Sequence, residues 1–73
     1  MKVSGENVFS VPANSFAISA SAEGYTLNYS VDGVSFTEYE EATPAGETAI
    51  VNFAAKGMCY KLVGNQSDVY VQY

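Results

Sequence analysis

The sequence has no histidine, no arginine and no tryptophan, and Cys59 is its only cysteine. A lone cysteine excludes an intramolecular disulfide, and the lack of histidine removes the commonest metal ligand and general base. With 73 residues, the chain has room for one small domain. Domains of this size usually need a disulfide, a metal or a partner surface for stability. We therefore expect association with copies of itself or with a larger scaffold.

Positive charge is also scarce. Three lysines stand against eight carboxylates, which gives a net charge of -5. Binding to phosphate backbones or anionic lipid depends on clustered Lys and Arg, so neither nucleic acid nor a membrane surface is expected as a partner. The acidic charge is typical of a protein that stays dispersed at high local concentration.

Long hydrophobic runs are missing as well. No stretch approaches the roughly 20 apolar residues of a membrane span. The residues after Met1-Lys2 are too polar for the apolar region of a signal peptide. If Met1 is native, we expect the protein to be made in the cytoplasm and kept there until another process releases it.

Residues 24–39 predict a β-hairpin. Tyr25, Leu27 and Tyr29 alternate with polar residues, which is the pattern of a half-buried strand. Asp32-Gly33 then provides the pair of residues that favours a two-residue primed turn with positive φ angles. The stretch is therefore expected to form two antiparallel strands joined by a tight turn.

Further short strands are expected on both sides of this hairpin. Their ranges are 8–11, 16–20, 48–53, 58–63 and 68–73, and segments rich in Gly, Pro, Asn and Ser separate several of them. Phe16, Ile18 and Ala20 are expected to point inward. In the later strands Met58, Tyr60 and Leu62 are expected to share one face, opposite Cys59, Lys61 and Val63, and Val69 and Val71 are expected to share another. The sequence does not define which side of strand 48–53 is buried, because Ile50, Val51 and Phe53 do not share one parity.

About six strands with frequent turn signals and no helical periodicity predict an all-β fold, either a small antiparallel β-sandwich or a barrel. Residues 15–73 are expected to form this domain. Residues 1–14 are expected to form an N-terminal arm or an edge segment, because Pro12 cannot donate to a strand ladder.

No chemistry-bearing motif stands out. Asp32, Glu38, Glu40 and Glu41 could be considered as a cation site, but their spacing matches no calcium loop, so we expect solvated carboxylates. A glycosidase-like carboxylate pair needs a cleft, and a short chain without His, Trp or Arg has little material for one. Cys59 is expected to be a half-buried structural thiol. We therefore expect no enzyme activity, no cofactor and no metal.

The six tyrosines are more than one small core needs. Exposed tyrosines form contact platforms for proteins or sugars, although tyrosine also simply favours strands. The candidate partner-binding residues are Val8, Phe9 and Val11 in the N-terminal segment and the surface tyrosines Tyr39, Tyr70 and Tyr73.

Two segments carry a resemblance to a known family. Residues 25–37 read Y-T-L-N-Y-S-V-D-G-V-S-F-T, and residues 57–65 read G-M-C-Y-K-L-V-G-N. They resemble small β-sandwich modules of tailed-bacteriophage virion proteins, which are similar to immunoglobulin-like and fibronectin type III domains. The resemblance covers about residues 16–73. The chain departs from the family pattern at Phe36, where tryptophan is frequent, and at Cys59, where an aromatic or small apolar residue is usual.

The resemblance implies an Ig-like sandwich in a virion. We accordingly expect a capsid decoration or auxiliary protein that binds the major capsid protein on the outer surface of a phage head in many copies. Such copies are expected to associate as trimers or similar rings. The alternative is a carbohydrate-binding or adhesion module, in which exposed tyrosines stack on sugar rings. A third hypothesis is that the chain is a structural repeat excised from a longer surface protein.

Overall fold

A computed structural model describes residues 1–39, 42–52 and 58–73. Within them the chain forms seven short strands and no helix. The strands are β1 (Lys2–Ser4), β2 (Phe16–Ile18), β3 (Thr26–Ser30), β4 (Thr37–Glu38), β5 (Ala49–Val51), β6 (Cys59–Val63) and β7 (Asp68–Gln72). The same residues contain no helix of the length and hydropathy needed to cross a membrane.

The strands form two antiparallel sheets. One has the order β1-β7-β2-β5 and the other the order β4-β3-β6. The expected all-β antiparallel sandwich is therefore confirmed. The pairing order is less regular than a series of hairpins, because only β3 and β4 are consecutive neighbours. β6 and β7 lie in different sheets, whereas the last two strands of an immunoglobulin domain share one.

The core lies between the sheets and follows the period of two. Tyr60 and Leu62 point inward from β6, and Val69 and Val71 point inward from β7. The remaining buried apolar side chains are Val3, Phe9, Val11, Phe16, Ile18, Tyr25, Leu27, Ala49 and Val51. Tyr29, Tyr39 and Met58 pack against this cluster from partly exposed positions. Of the residues predicted to point inward, Phe16 and Ile18 are buried, whereas Ala20 is exposed beyond the end of β2. The predicted shared faces of Tyr60 with Leu62 and of Val69 with Val71 are confirmed.

The predicted hairpin is confirmed, but the predicted two-residue turn is wrong. Asn28 pairs with Glu38 and Tyr29 with Thr37, so residues 31–36 form a longer loop. Gly33 has φ of 78°, whereas Asp32 lacks the positive φ that a primed turn requires of its first residue. The Asp32 carboxylate instead accepts hydrogen bonds from the backbone N–H groups of Val34 and Ser35, at 2.8 and 3.0 Å. Side-chain capping therefore replaces the two-residue turn.

Residues 1–14, expected to be an N-terminal arm or an edge segment, hydrogen-bond to both sheets. β1 pairs with β7, and the Phe9 and Tyr60 backbones exchange two hydrogen bonds of 3.0 and 2.7 Å. The Phe9, Phe16 and Tyr60 rings meet at centroid distances of 5.0 to 6.1 Å. Because Phe16 and Tyr60 belong to opposite sheets, Phe9 joins the N-terminal segment to both.

The side of β5 that faces inward is also defined. Ala49 and Val51 are buried, and Ile50 points to solvent with 66% of its surface exposed. Phe53 lies outside the described residues. The core accepts the small Ala49 in place of the larger Ile50, so the strand's most hydrophobic residue faces outward. This orientation shapes the surface described next.

Candidate binding face

The four-stranded sheet has one side on the core and one toward solvent, which we call the outer face. Alternation along the strands places Ala17 of β2, Ile50 of β5, and Tyr70 and Gln72 of β7 on it. In the strand register Ala17 lies opposite both Ile50 and Gln72. A methyl group therefore stands between two larger side chains, which leaves a depression along the middle of the face.

Two shallow grooves run along this depression. One has a volume of about 280 Å³ and is lined by Ala17, Ser19, Thr48, Tyr70 and Gln72. The other, of about 260 Å³, is lined by Ser15, Phe16, Ala17, Ile50, Gln72 and Tyr73. Ala17 and Gln72 line both grooves, so the two form one continuous surface.

The lining of both grooves carries no charged side chain, although the chain has a net charge of -5. Lys2 and Asp68 lie toward the β1 side, where Lys2 pairs with Tyr70 in the register and its Nζ stands 3.8 Å from an Asp68 carboxylate oxygen. Both side chains are more than half exposed, so their ion pair adds little stability. Neutral aromatic, hydroxyl and amide groups therefore determine what the outer face can bind.

The predicted partner-binding residues do not form one site. Tyr70 and Tyr73 are 60% and 62% exposed, and both border the grooves of the outer face. Val8 is exposed in the N-terminal segment, whereas Phe9 and Val11 are buried in the core. A binding role for Phe9 or Val11 would need the sandwich to open, because neither side chain reaches the surface as it is packed.

Tyr39 is half-buried rather than a free contact residue. Its ring packs edge-on against Tyr29, with centroids 5.8 Å apart, and its backbone N–H donates to the Leu27 carbonyl at 2.8 Å. It therefore extends the core below the end of β4 and lies apart from Tyr70 and Tyr73.

Sequence reasoning missed Ala17, Thr48 and Ile50 as parts of this face. The alternation Thr48, Ile50, Asn52 against Ala49 and Val51 was present in the sequence. It could not be interpreted before the inward side of β5 was known, because both parities offered an apolar face.

A second exposed apolar feature is the loop of residues 31–36. Val31 and Val34 are 78% and 81% exposed there. Ser30 is buried, and its hydroxyl donates to the Asp32 carboxylate at 2.8 Å and accepts from the Gly33 N–H at 2.8 Å. The backbone N–H groups of Ser35 and Val34, followed by the Ser30 hydroxyl, lower the pKa of Asp32 to about 2. The loop thus presents two exposed valines on a hydrogen-bonded frame.

The carboxylates considered as a cation site are not assembled in the described residues. No group of three or more possible metal-ligating side chains occurs there. Asp32 is engaged by its own loop, Glu38 lies on β4, and Glu40 and Glu41 fall outside the described residues. Cys59 is a half-buried free thiol on β6, in the position expected for it.

Comparison with protein-family models, with curated proteins and with solved structures found no match to this chain.

Proposed function

We propose that this protein is a structural virion component that binds the outer surface of a bacteriophage head through its outer face. The single observation that carries the docking step is the uncharged, tyrosine-bordered lining of the two grooves on a strongly acidic chain. The phage context comes from the sequence resemblance carried by residues 25–37 and 57–65. The protein is then a capsid decoration or auxiliary protein that acts by binding and catalyses nothing.

The composition of the outer face fits a protein partner. The centres of protein interfaces are depleted in charge and enriched in tyrosine, and a polar rim surrounds them. Tyr70 and Tyr73 supply large side chains with few rotatable bonds, and Ser15, Ser19 and Thr48 supply hydrogen-bonding groups at the border. The matching capsid surface is accordingly neutral and weakly polar. Localisation on the virion follows, with synthesis in the host cytoplasm and release by lysis.

Co-sedimentation tests the proposal. Purified protein is mixed with emptied heads of the tailed phage that encodes it, and bound protein is measured in the pellet. We expect stoichiometric binding by the wild type and at least a tenfold loss of affinity for Tyr70→Ala with Tyr73→Ala, because exposed tyrosines are frequent binding hot spots. Val34→Ala, which removes an equally exposed side chain from the loop, is the matched control. Absence of binding by the wild type, or equal binding by both variants, would refute the proposal.

The groove at Tyr70 favours one second candidate, a carbohydrate-binding module. Its lining combines an aromatic ring with the Ser19 and Thr48 hydroxyls and the Gln72 amide, and none of these groups is charged. Such groups suit a neutral sugar ring, which offers an apolar side for stacking and hydroxyls for hydrogen bonds. A glycan array would test it. Binding that disappears in Tyr70→Ala but persists in Val34→Ala would favour this candidate, and an array without any bound glycan would exclude it.

A further inference from the structure

The edges of the two sheets differ in how they are protected. In the described part of the chain the sheets end at β1, β5, β4 and β6. β6 is capped by the Phe9 bridge, β4 has two residues and carries Glu38, and β1 carries Lys2. β5 has neither a charge nor a proline, and no described residue pairs with its outer side. Charged or covered edges resist pairing with other chains, so among the described strands β5 is the edge open to it.

The hydrogen-bonding direction of β5 follows from its neighbours. The Ser19 N–H donates to the Tyr70 carbonyl at 2.9 Å, so Ser19 and, by alternation, Ala17 direct their backbone groups toward β7. Phe16 and Ile18 consequently bond to β5, where their register partners are Val51 and Ala49. Ile50 lies between those two partners, so its backbone N–H and carbonyl groups point away from the sheet.

We infer that β5 pairs antiparallel with β5 of a second copy of this chain, with Ile50 on the two-fold axis. In an antiparallel pair centred on one residue, that residue exchanges both backbone hydrogen bonds with its own copy, which is what the outward groups of Ile50 allow. The same register places Thr48 opposite Asn52 of the copy. All residues from 48 to 52 are uncharged, so no like charges meet in the new strand pair.

Side chains add to this contact. Ile50 is 66% exposed on the outer face and would lie directly against Ile50 of the copy, which is the pairing that stabilises neighbouring strands. Each four-stranded sheet would continue into the other, and the two outer faces would become one surface. The inference does not rest on the proposed function, because it needs only the free edge and a second chain.

The contact is small, which makes the dimer weak. β5 has three residues, and pairing through so short a strand buries far less than the roughly 1,200 Å² of a stable interface. We therefore expect association to depend on concentration, with a dissociation constant in the range of about 0.1 to 1 mM. Many copies held close together would populate it.

Sedimentation equilibrium of the purified chain from about 10 μM to 2 mM tests the inference, and no capsid is present. We expect a monomer to dimer transition in the wild type and at least tenfold weaker association for Ile50→Lys, since a lysine on an edge strand opposes pairing. Val34→Lys adds the same charge at an exposed loop position and is expected to associate like the wild type. Both positions are exposed, so both variants should keep the wild-type circular dichroism spectrum.

A disulfide trap gives a second readout. Ile50→Cys in a Cys59→Ser background is oxidised with glutathione disulfide, which accepts the two electrons and two protons released by the thiol pair. Hydrogen-bonded antiparallel partners have Cα atoms about 5.5 Å apart, within the range of a disulfide. We expect a covalent dimer from this variant and little from Val34→Cys in the same background. A wild type that stays monomeric up to 2 mM, or equal weakening by the two lysine variants, would overturn the inference.

Discussion

Asn65 is a buried polar residue whose amide joins three connecting segments of the fold. Its Oδ1 accepts a hydrogen bond from the Ser21 hydroxyl at 2.9 Å, and its Nδ2 donates to the Gly5 and Ser67 carbonyls, both at 2.9 Å. These partners come from the β1–β2, β2–β3 and β6–β7 connections. One buried amide therefore bonds to all three connections and fixes one end of the sandwich.

Replacing this amide should cost much more than replacing its neighbour. Asn65→Ala removes one hydrogen-bond partner from each of the Ser21 hydroxyl and the Gly5 and Ser67 carbonyls, and we expect the free energy of unfolding to fall by about 2 to 4 kcal/mol. Gln66→Ala, an exposed position in the same turn, should change it by less than about 0.5 kcal/mol. Urea denaturation measures both. A loss below about 1 kcal/mol in Asn65→Ala would show that its hydrogen bonds are replaced by others.

The Asp32 carboxylate gives the loop of residues 31–36 a predictable pH dependence. The Ser35 and Val34 N–H groups hold its pKa at about 2, below the value of about 4 in an unfolded chain. The stabilising effect of the carboxylate is therefore complete above about pH 4 and is lost as the pH falls through about 2. In NMR spectra we expect the Val34 and Ser35 amide shifts to titrate together with a midpoint near pH 2. A midpoint near pH 4 would contradict the lowered pKa of Asp32. Persistence of the same amide titration in Asp32→Asn would show that another group causes it.

At the scale of strands, the alternation of single residues predicted much of the fold. Tyr60 and Leu62, like Val69 and Val71, share one face of their strand as expected. That face is the buried one, because a strand with one apolar side has only one favourable orientation. β5 could not be oriented in this way, since Ile50 and Val51 have similar hydrophobicity and opposite parity. The β3–β4 turn was mispredicted because Asp32-Gly33 suits both a primed turn and a longer loop with side-chain capping, and only the register distinguishes them.

The outer face was less predictable than the core. Tyr70 and Tyr73 could be named as surface residues, but the depression between Gln72 and Ile50 depends on Ala17 from a distant strand. The pairing of β2 with both β5 and β7 determines that neighbourhood. No local pattern encodes such an order, because the partners are separated by most of the chain.

The connection between β2 and β3 lies close against the one between β4 and β5 at Gly24. Gly24 has φ of 73°, and a Cβ there would stand 2.7 Å from the Thr43 carbonyl oxygen and 3.1 Å from the Ala45 nitrogen. The Tyr25 and Thr43 backbones exchange two hydrogen bonds beside it. Glycine is required both for its conformation and for the lack of a side chain.

Gly46 provides a matched control for the close contact of Gly24 with the Thr43 backbone. It has φ of 81° but nothing within 4 Å of an added Cβ, so Gly46→Ala should lose only the conformational term, about 1 kcal/mol. Gly24→Ala adds the contact with the backbone, and we expect it to lower the free energy of unfolding by about 3 kcal/mol or more. Equal losses in thermal or urea unfolding would show that the Thr43 segment moves aside without cost.

For the molecule as a whole, residues 1–14 should be indispensable to folding. Their removal deletes β1 and three core side chains, Val3, Phe9 and Val11. Each large core deletion costs about 2 to 5 kcal/mol, and small domains have only about 5 to 15 kcal/mol in total. We expect the shortened chain to give the narrow amide dispersion of an unfolded protein in NMR spectra. Val8→Ala, at an exposed position of the same segment, should remain folded, and native dispersion in the shortened chain would instead identify a detachable arm.

The pairing of β1 with β7 has a consequence for biosynthesis. Of the described strands β1 leaves the ribosome first, yet its described sheet neighbour, β7, leaves last. β2 also pairs with β7 on one side, so the four-stranded sheet cannot close before β7 has emerged. Such distant pairings fold slowly, on a time scale of about milliseconds to seconds. Until β7 emerges, the apolar strands of the nascent chain lack their sheet partners, and the net charge of -5 opposes aggregation in that interval.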